Sequence, residues 1–312
     1  MHLRKYLFVT ITFVLLAFCN AEAQYLRDKT AIIDTNGFYP NDNDVIRFYN
    51  DYEIIPLTFN NIFGIPEIEV EFTNKSFPLY FDFGNSSSIT ITNELENEIT
   101  YSVIDKSVSL NPDGSFRSNS LRIVIPSFKV FSKTYVNENS EIVDWKTYST
   151  HPLNGLIGLK YLEGKSFTLD CRNKLLIVSS ESISESLNEK HVSIIDLKTF
   201  QYHPHGVHFE GKVNDKNSII YFDTGKSQTA FNRKLFTEHK ILTDKSGSFY
   251  DGVVEMTFKD ITVIINYPRV KNMNRKLDTN LITGVEVGID LLKYFVLSID
   301  RTIDKNLLII HK

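Results

Sequence analysis

Apolar and polar positions alternate over short runs along this chain, and the runs are rich in β-branched and aromatic residues. Ile65 to Phe72 alternates and predicts a strand with one buried face. Thr73-Asn74-Lys75-Ser76 then predicts a turn. The return run, Leu79-Tyr80-Phe81, is continuously apolar and predicts a strand covered on both faces. Further on, Leu121-Arg122-Ile123-Val124-Ile125 alternates again, after Asn111-Pro112-Asp113-Gly114, a strong turn signal. Short runs of this kind, with few candidate helices, predict an all-β chain.

One stretch occurs twice. Leu79-Tyr80-Phe81-Asp82-Phe83-Gly84-Asn85-Ser86-Ser87 is matched by Ile220-Tyr221-Phe222-Asp223-Thr224-Gly225-Lys226-Ser227-Gln228, at an offset of 141 residues. The match extends upstream, where Glu69 falls on Glu210, Lys75 on Lys216, and the turn at 73–76 on Asn214-Asp215-Lys216-Asn217. A second shared element follows each copy. Asn154-Gly155-Leu156-Ile157-Gly158-Leu159 precedes Phe167-Thr168-Leu169-Asp170, and Thr283-Gly284-Val285-Glu286-Val287-Gly288-Ile289 precedes Val296-Leu297-Ser298-Ile299-Asp300. Twelve residues separate Gly158 from Asp170 and also Gly288 from Asp300, and each copy ends in an apolar run, Leu175–Val178 or Leu307–Ile310. A repeat this long predicts one structural unit used twice.

Each copy places a carboxylate where a core strand breaks at a glycine. A lone buried charge there costs several kcal/mol or is protonated, on the order of magnitude known for such groups. If the two copies pack face to face, that cost becomes chemistry. Two carboxylates in one site cannot both ionise, so Asp82 and Asp223 would share a proton and hold a water between them. The charged member takes the water's proton, and the protonated member hydrogen-bonds a substrate carbonyl. Such a site needs neither a metal nor a cofactor.

The two copies resemble the signature of the retropepsin-like and pepsin-like aspartic proteases, apolar-apolar-Asp-[Thr/Ser]-Gly-x-[Ser/Thr], each with the Gly-containing element that crosses behind the catalytic loop. The resemblance runs from about Ile62 to Ile310. It implies two β-barrel lobes related by pseudo-symmetry, with a cleft between them for an extended peptide or protein substrate. It implies Asp82 and Asp223 as the catalytic pair, with Gly84, Ser86, Thr224, Gly225 and Ser227 supporting their loops. A flap would lie between Tyr101 and Val136, with Tyr101 or Phe116 as its aromatic residue, or with both as ordinary sheet aromatics. The implied activity is an exported aspartic endopeptidase acting as a monomer; the alternative is an impaired pseudo-protease kept as a peptide-binding or structural module.

Two departures support that alternative. In the family the residue after each catalytic Asp carries a hydroxyl that reaches the other loop's backbone. Thr224 keeps it, whereas Phe83 has neither donor nor acceptor on its side chain. After the glycines stand Asn85 and Lys226, and an ammonium at 226 either opposes proton sharing by Asp223 or points outward and selects acidic substrates.

The remaining segments frame this core. Residues 1–23 read as a signal peptide, with Arg4 and Lys5, an apolar run from Tyr6 to Phe18, and cleavage after Ala23, so the mature chain is expected to be secreted or periplasmic without a membrane span. A lipid anchor at Cys19 is disfavoured by bulky Phe18. Residues 24–60 are a lead-in, either an added strand between the lobes or a pro-segment, in which Ala31-Ile32-Ile33-Asp34-Thr35-Asn36-Gly37 imitates the motif but lacks its first glycine and is expected to turn. The lobes are expected at 61–180 and 201–312, joined by a Ser-rich linker at 181–200. Past the signal only Cys171 remains, which excludes an internal disulfide and reads as a core residue. A net charge of −4 without a basic patch argues against nucleic acid. His203, His205 and His208 suggest a metal site, but no acidic or cysteine partner stands nearby in sequence, and no metal is expected.

Overall fold

A computed structural model describes residues 31–34, 51–73, 75–85, 89–110, 116–144, 152–184, 187, 192–201, 203–273 and 279–311. The expected signal peptide, the Asn111–Gly114 turn and Ser86 lie outside the described residues. The chain is all-β, folded into three sheets. Among the described residues only short helical turns interrupt them, at Leu159–Leu162 and Ile289–Leu292 among others.

The first sheet carries Asp82. Pro66–Phe72 buries every second residue and pairs antiparallel with Lys75–Phe81 through the expected turn. Gly155–Ile157 lies parallel to the latter strand and antiparallel to Ile89–Thr92, which runs parallel to the end of Lys133–Val143. Pairing of Glu71 with Lys129 and of Phe72 with Phe128 joins the first strand to Phe116–Val130, which closes these strands into a six-stranded barrel.

The second sheet carries Asp223 and repeats that order. His203–Val213 pairs antiparallel with Lys216–Phe222, across a turn in which Asn214 and Asp215 both have positive φ, the geometry of a tight two-residue hairpin. Thr283–Val287 lies parallel to Lys216–Phe222 and antiparallel to Ala230–Asn232, which runs parallel to Arg269–Lys271.

A third, six-stranded sheet joins the two. Ser166–Asp170 pairs antiparallel with Val296–Asp300, and the register centres on Thr168 opposite Ser298. Those two residues occupy corresponding positions in the repeat, each ten residues past its glycine, Gly158 or Gly288. Their hydroxyls are hydrogen-bonded at 2.5 Å, and Ser298 also meets His311 Nε2 at 2.6 Å. Buried side chains from all three sheets form one continuous core.

Two expectations for the flanking segments are revised. Ala31–Asp34 is not a turn but an edge strand, paired with Ile261–Asn266; its backbone extends a sheet edge whatever follows Asp34. Within residues 181–200, Val192–Asp196 is a strand paired with Leu307–His311 in the joining sheet. Glu53–Pro56, from the lead-in, pairs with Leu175–Val178 on the other side of that sheet. Among the described residues no helix is long and apolar enough to cross a membrane.

Candidate active site

Both aspartates sit where a buried strand gives way to a turn, and the same backbone bonds hold each. Asp82 N–H donates to the Ile157 carbonyl at 3.0 Å, and Asp223 N–H donates to the Val287 carbonyl at 3.0 Å. The turns close by Asn85 N–H donating to Asp82 C=O at 3.1 Å and Lys226 N–H donating to Asp223 C=O at 3.2 Å. In each turn the glycine amide donates to the carboxylate: Gly84 to Asp82 Oδ1 at 2.7 Å, Gly225 to Asp223 Oδ1 at 3.0 Å.

The turns face one another so closely that only glycine fits. A Cβ at Gly84 would lie 2.6 Å from Asp223 Oδ1, and one at Gly225 would overlap the Asp82 carboxyl. Neither glycine has a positive φ. Their necessity therefore comes from the opposite carboxylate rather than from the backbone conformation of the turn. The two carboxyls act on one another, and Asp82 is pushed well above the ordinary carboxylate range. Burial is the largest cause, and the neighbouring Asp223 carboxyl comes next. Exposed Lys226 pulls the other way, more weakly than any of these, so it does not dissolve the pair.

Thr224 makes the expected reach across the junction. Its Oγ1 accepts the Phe83 amide hydrogen at 3.0 Å and donates to the Phe81 carbonyl at 2.5 Å. Phe83 offers no hydroxyl in return. Its ring is 1% exposed and stands edge-on to Phe81 at 5.4 Å and to Phe167 at 6.1 Å. The position thus contributes an aromatic core contact in place of a polar bond across the junction.

The loop after Asp223 is tied to the short helix at Ile289–Leu292. Thr229 Oγ1 accepts the Gly288 amide hydrogen, and Thr229 donates to Asp290 Oδ1 from its amide at 2.8 Å and its hydroxyl at 2.7 Å. Burial raises the Asp290 carboxyl above its ordinary range. Ser227 is half-buried in that loop. Beyond Thr229 a pocket of about 120 Å³ opens, lined by Phe231, Phe249, Ile265, Tyr267, Pro268 and Arg269 among others.

The segment expected to carry a flap is a hairpin, Ser102–Leu110 against Phe116–Val130. Phe116 pairs with Leu110 at its outer end and is 62% exposed. Tyr101 sits at the hairpin's base, half-buried against the core. The lone tryptophan, Trp145, lies outside the described residues.

The histidine cluster is bound up with the Asp82 turn, a role the sequence did not suggest. His203 Nδ1 and His208 Nε2 face each other at 2.7 Å, and His203 Nε2 lies 3.0 Å from the Gly84 carbonyl oxygen. Their spacing in sequence hinted at a site but not at this partner, because Gly84 is 119 residues away. Cys171 is buried, and burial foremost, then Asp170, pushes its thiol up to about 12, so it is a protonated core residue.

Compared with known proteins, the chain matches no family model and no curated sequence.

Proposed function

We propose that this chain is a two-lobed aspartic endopeptidase in which Asp82 and Asp223 jointly activate water. The observation that carries the reading is the meeting of the two carboxyls, brought from sheets 141 residues apart in sequence, over two glycines that leave no room for a Cβ. The matching order of the two sheets and the joining register centred on Thr168 and Ser298 support a duplicated, pseudo-symmetric architecture.

In this reading the pair holds one proton. The ionised member takes a proton from the water between them, and the hydroxide attacks the peptide carbonyl while the protonated member gives its proton to the developing oxyanion. The tetrahedral diol collapses as the first carboxyl returns a proton to the departing amine and the second carboxylate takes a proton from one diol hydroxyl, which restores the shared proton. Extended substrate is held by strand-like backbone bonds, and the pocket past Thr229 receives an apolar side chain. The N-terminal Arg4-Lys5, apolar run and Ala21-Glu22-Ala23 support export.

Purified protein should cleave a denatured protein or peptide library, a statine-type inhibitor should block it, and Asp82→Asn or Asp223→Asn should abolish it. A protein that binds peptides but cleaves none between acid and neutral pH would establish the second reading, a binding module, to which the missing hydroxyl at Phe83 points.

A further inference from the structure

The turn that lacks its own cross-junction hydroxyl is held by other groups from the opposite sheet. One is Thr224. The other is a pair of buried histidines. The Gly84 carbonyl can only accept, so the bond at 3.0 Å requires a proton on His203 Nε2. His203 Nδ1 then accepts from His208 Nε2, 2.7 Å away, when both rings are neutral. The order of donors is therefore His208 to His203 to Gly84.

The loop bearing His203 is built to present it. Arg301, half-buried, donates to the carbonyls of His205 at 2.8 Å and Gly206 at 3.0 Å. Gly206 has no space for a Cβ, which would overlap both imidazoles. His208 stacks on Tyr221 at 4.3 Å, Phe200 stands edge-on to His208 at 5.1 Å, and Tyr221 stands edge-on to His203 at 5.4 Å. Tyr221 lies two residues before Asp223 on the strand that delivers it.

Gly84 is thereby bonded at both ends. Its amide donates to Asp82, its carbonyl accepts from His203, and the next amide, Asn85, donates back to Asp82 C=O. The matching positions of the other half carry no histidine: positions 62 and 67, which match 203 and 208 in the repeat, are Ile62 and Glu67. The asymmetry lies on the side where the hydroxyl is missing.

We infer that His203, oriented by His208, is a positioning residue that clamps the Gly84 peptide and so aims the Asp82 carboxyl at Asp223, substituting for the hydroxyl that Phe83 cannot supply. The kinetic consequence rests on the peptidase reading; the clamp itself does not. Three proteins test it: wild type, His203→Leu, which removes the donor, and His203→Gln, whose amide nitrogen can replace Nε2. Two readouts are taken.

The first is the titration of the Asp82 and Asp223 carboxyl carbons, followed by NMR. The Leu variant should shift the Asp82 titration and the Gln variant should restore it, whether or not any peptide is cleaved. The second is kinetics. The Leu variant should lose about tenfold to a hundredfold in kcat with KM little changed, as expected for misplacement of a reacting group, and the Gln variant should recover most of it. Equal titration in all three proteins, or a Gln variant as impaired as the Leu variant, overturns the clamp. A wild type that titrates as expected but cleaves nothing overturns the peptidase reading and leaves the clamp to the first readout. Should His203→Leu fail to fold, histidine nitrogen NMR of the wild type decides: a proton on His203 Nε2 coupled to the Gly84 carbonyl carbon supports the clamp, and an unprotonated Nε2 overturns it.

Discussion

Thr224 and Phe83 are joined across the two sheets by a bond in which the threonine hydroxyl accepts the phenylalanine amide hydrogen at 3.0 Å. The same hydroxyl donates to Phe81 C=O, so one side chain satisfies two buried backbone groups of the opposite turn. Thr224→Val keeps the shape and strands both groups. Each buried polar group left unmade costs about 1–3 kcal/mol, so the variant should lose roughly 2–4 kcal/mol by urea unfolding, while Thr224→Ser should lose less than half of that. A larger loss in Thr224→Ser than in Thr224→Val would show that the methyl, not the hydroxyl, matters.

Placing a hydroxyl at position 83 should not be a simple gain. Phe83→Thr supplies a hydroxyl but empties a site among Phe81 and Phe167. Large-to-small changes at buried aromatics cost about 3–5 kcal/mol, so the variant should unfold at markedly lower denaturant even if the new bond forms. A variant as stable as wild type would mean that the aromatic cluster repacks.

Gly84→Ala tests how closely the turns approach. The added methyl would press on Asp223 Oδ1 from 2.6 Å. The backbone there is not left-handed, so the penalty is one of contact rather than of conformation. The variant should fold with its turns pushed apart, with the cleavage of the proposed peptidase reading abolished and the Asp82 carboxyl returned toward its ordinary range. Retained cleavage would place the reacting groups elsewhere.

Stability should depend on pH with two opposing contributions. Burial foremost, with Asp223 beside it, raises Asp82 above 3.8, so the fold keeps a proton that the unfolded chain releases. That contribution is complete below 3.8 and is lost as pH rises toward the raised value. His311, lowered by burial to about 4 from 6.5, behaves oppositely: its contribution is present above 6.5 and is lost as pH falls toward 4. Asp82→Asn should therefore gain on wild type as pH rises from 4 to 8, by on the order of 2 kcal/mol or more, and His311→Gln should flatten the acid limb. Unfolding midpoints across that range would show it, and a pH-independent difference for Asp82→Asn would refute it.

The strands around Asp82 and Asp223 were legible because alternation and continuous apolar runs report burial directly, and the glycines and turn residues mark where strands end. The mock motif at Ala31–Asp34 misled because an edge strand needs only a free backbone edge, which lies on Ile261–Asn266 and nowhere in the local pattern. Val192–Asp196 was obscured in the same way, its pairing with Leu307–His311 being settled by a strand at the far end of the chain.

From its sequence alone, this chain was determined to be all-β and to carry two similar strand-Asp-x-Gly turns, because side-chain periodicity and turn chemistry are local properties. Only the tertiary structure decided that the turns meet, that Gly84 and Gly225 are needed for the opposite carboxyl, that the Phe83 ring belongs to the core, and that His203 reaches Gly84. Those are contacts between residues more than a hundred positions apart, or between a ring and its packing, and no local pattern encodes which distant atom a side chain will touch.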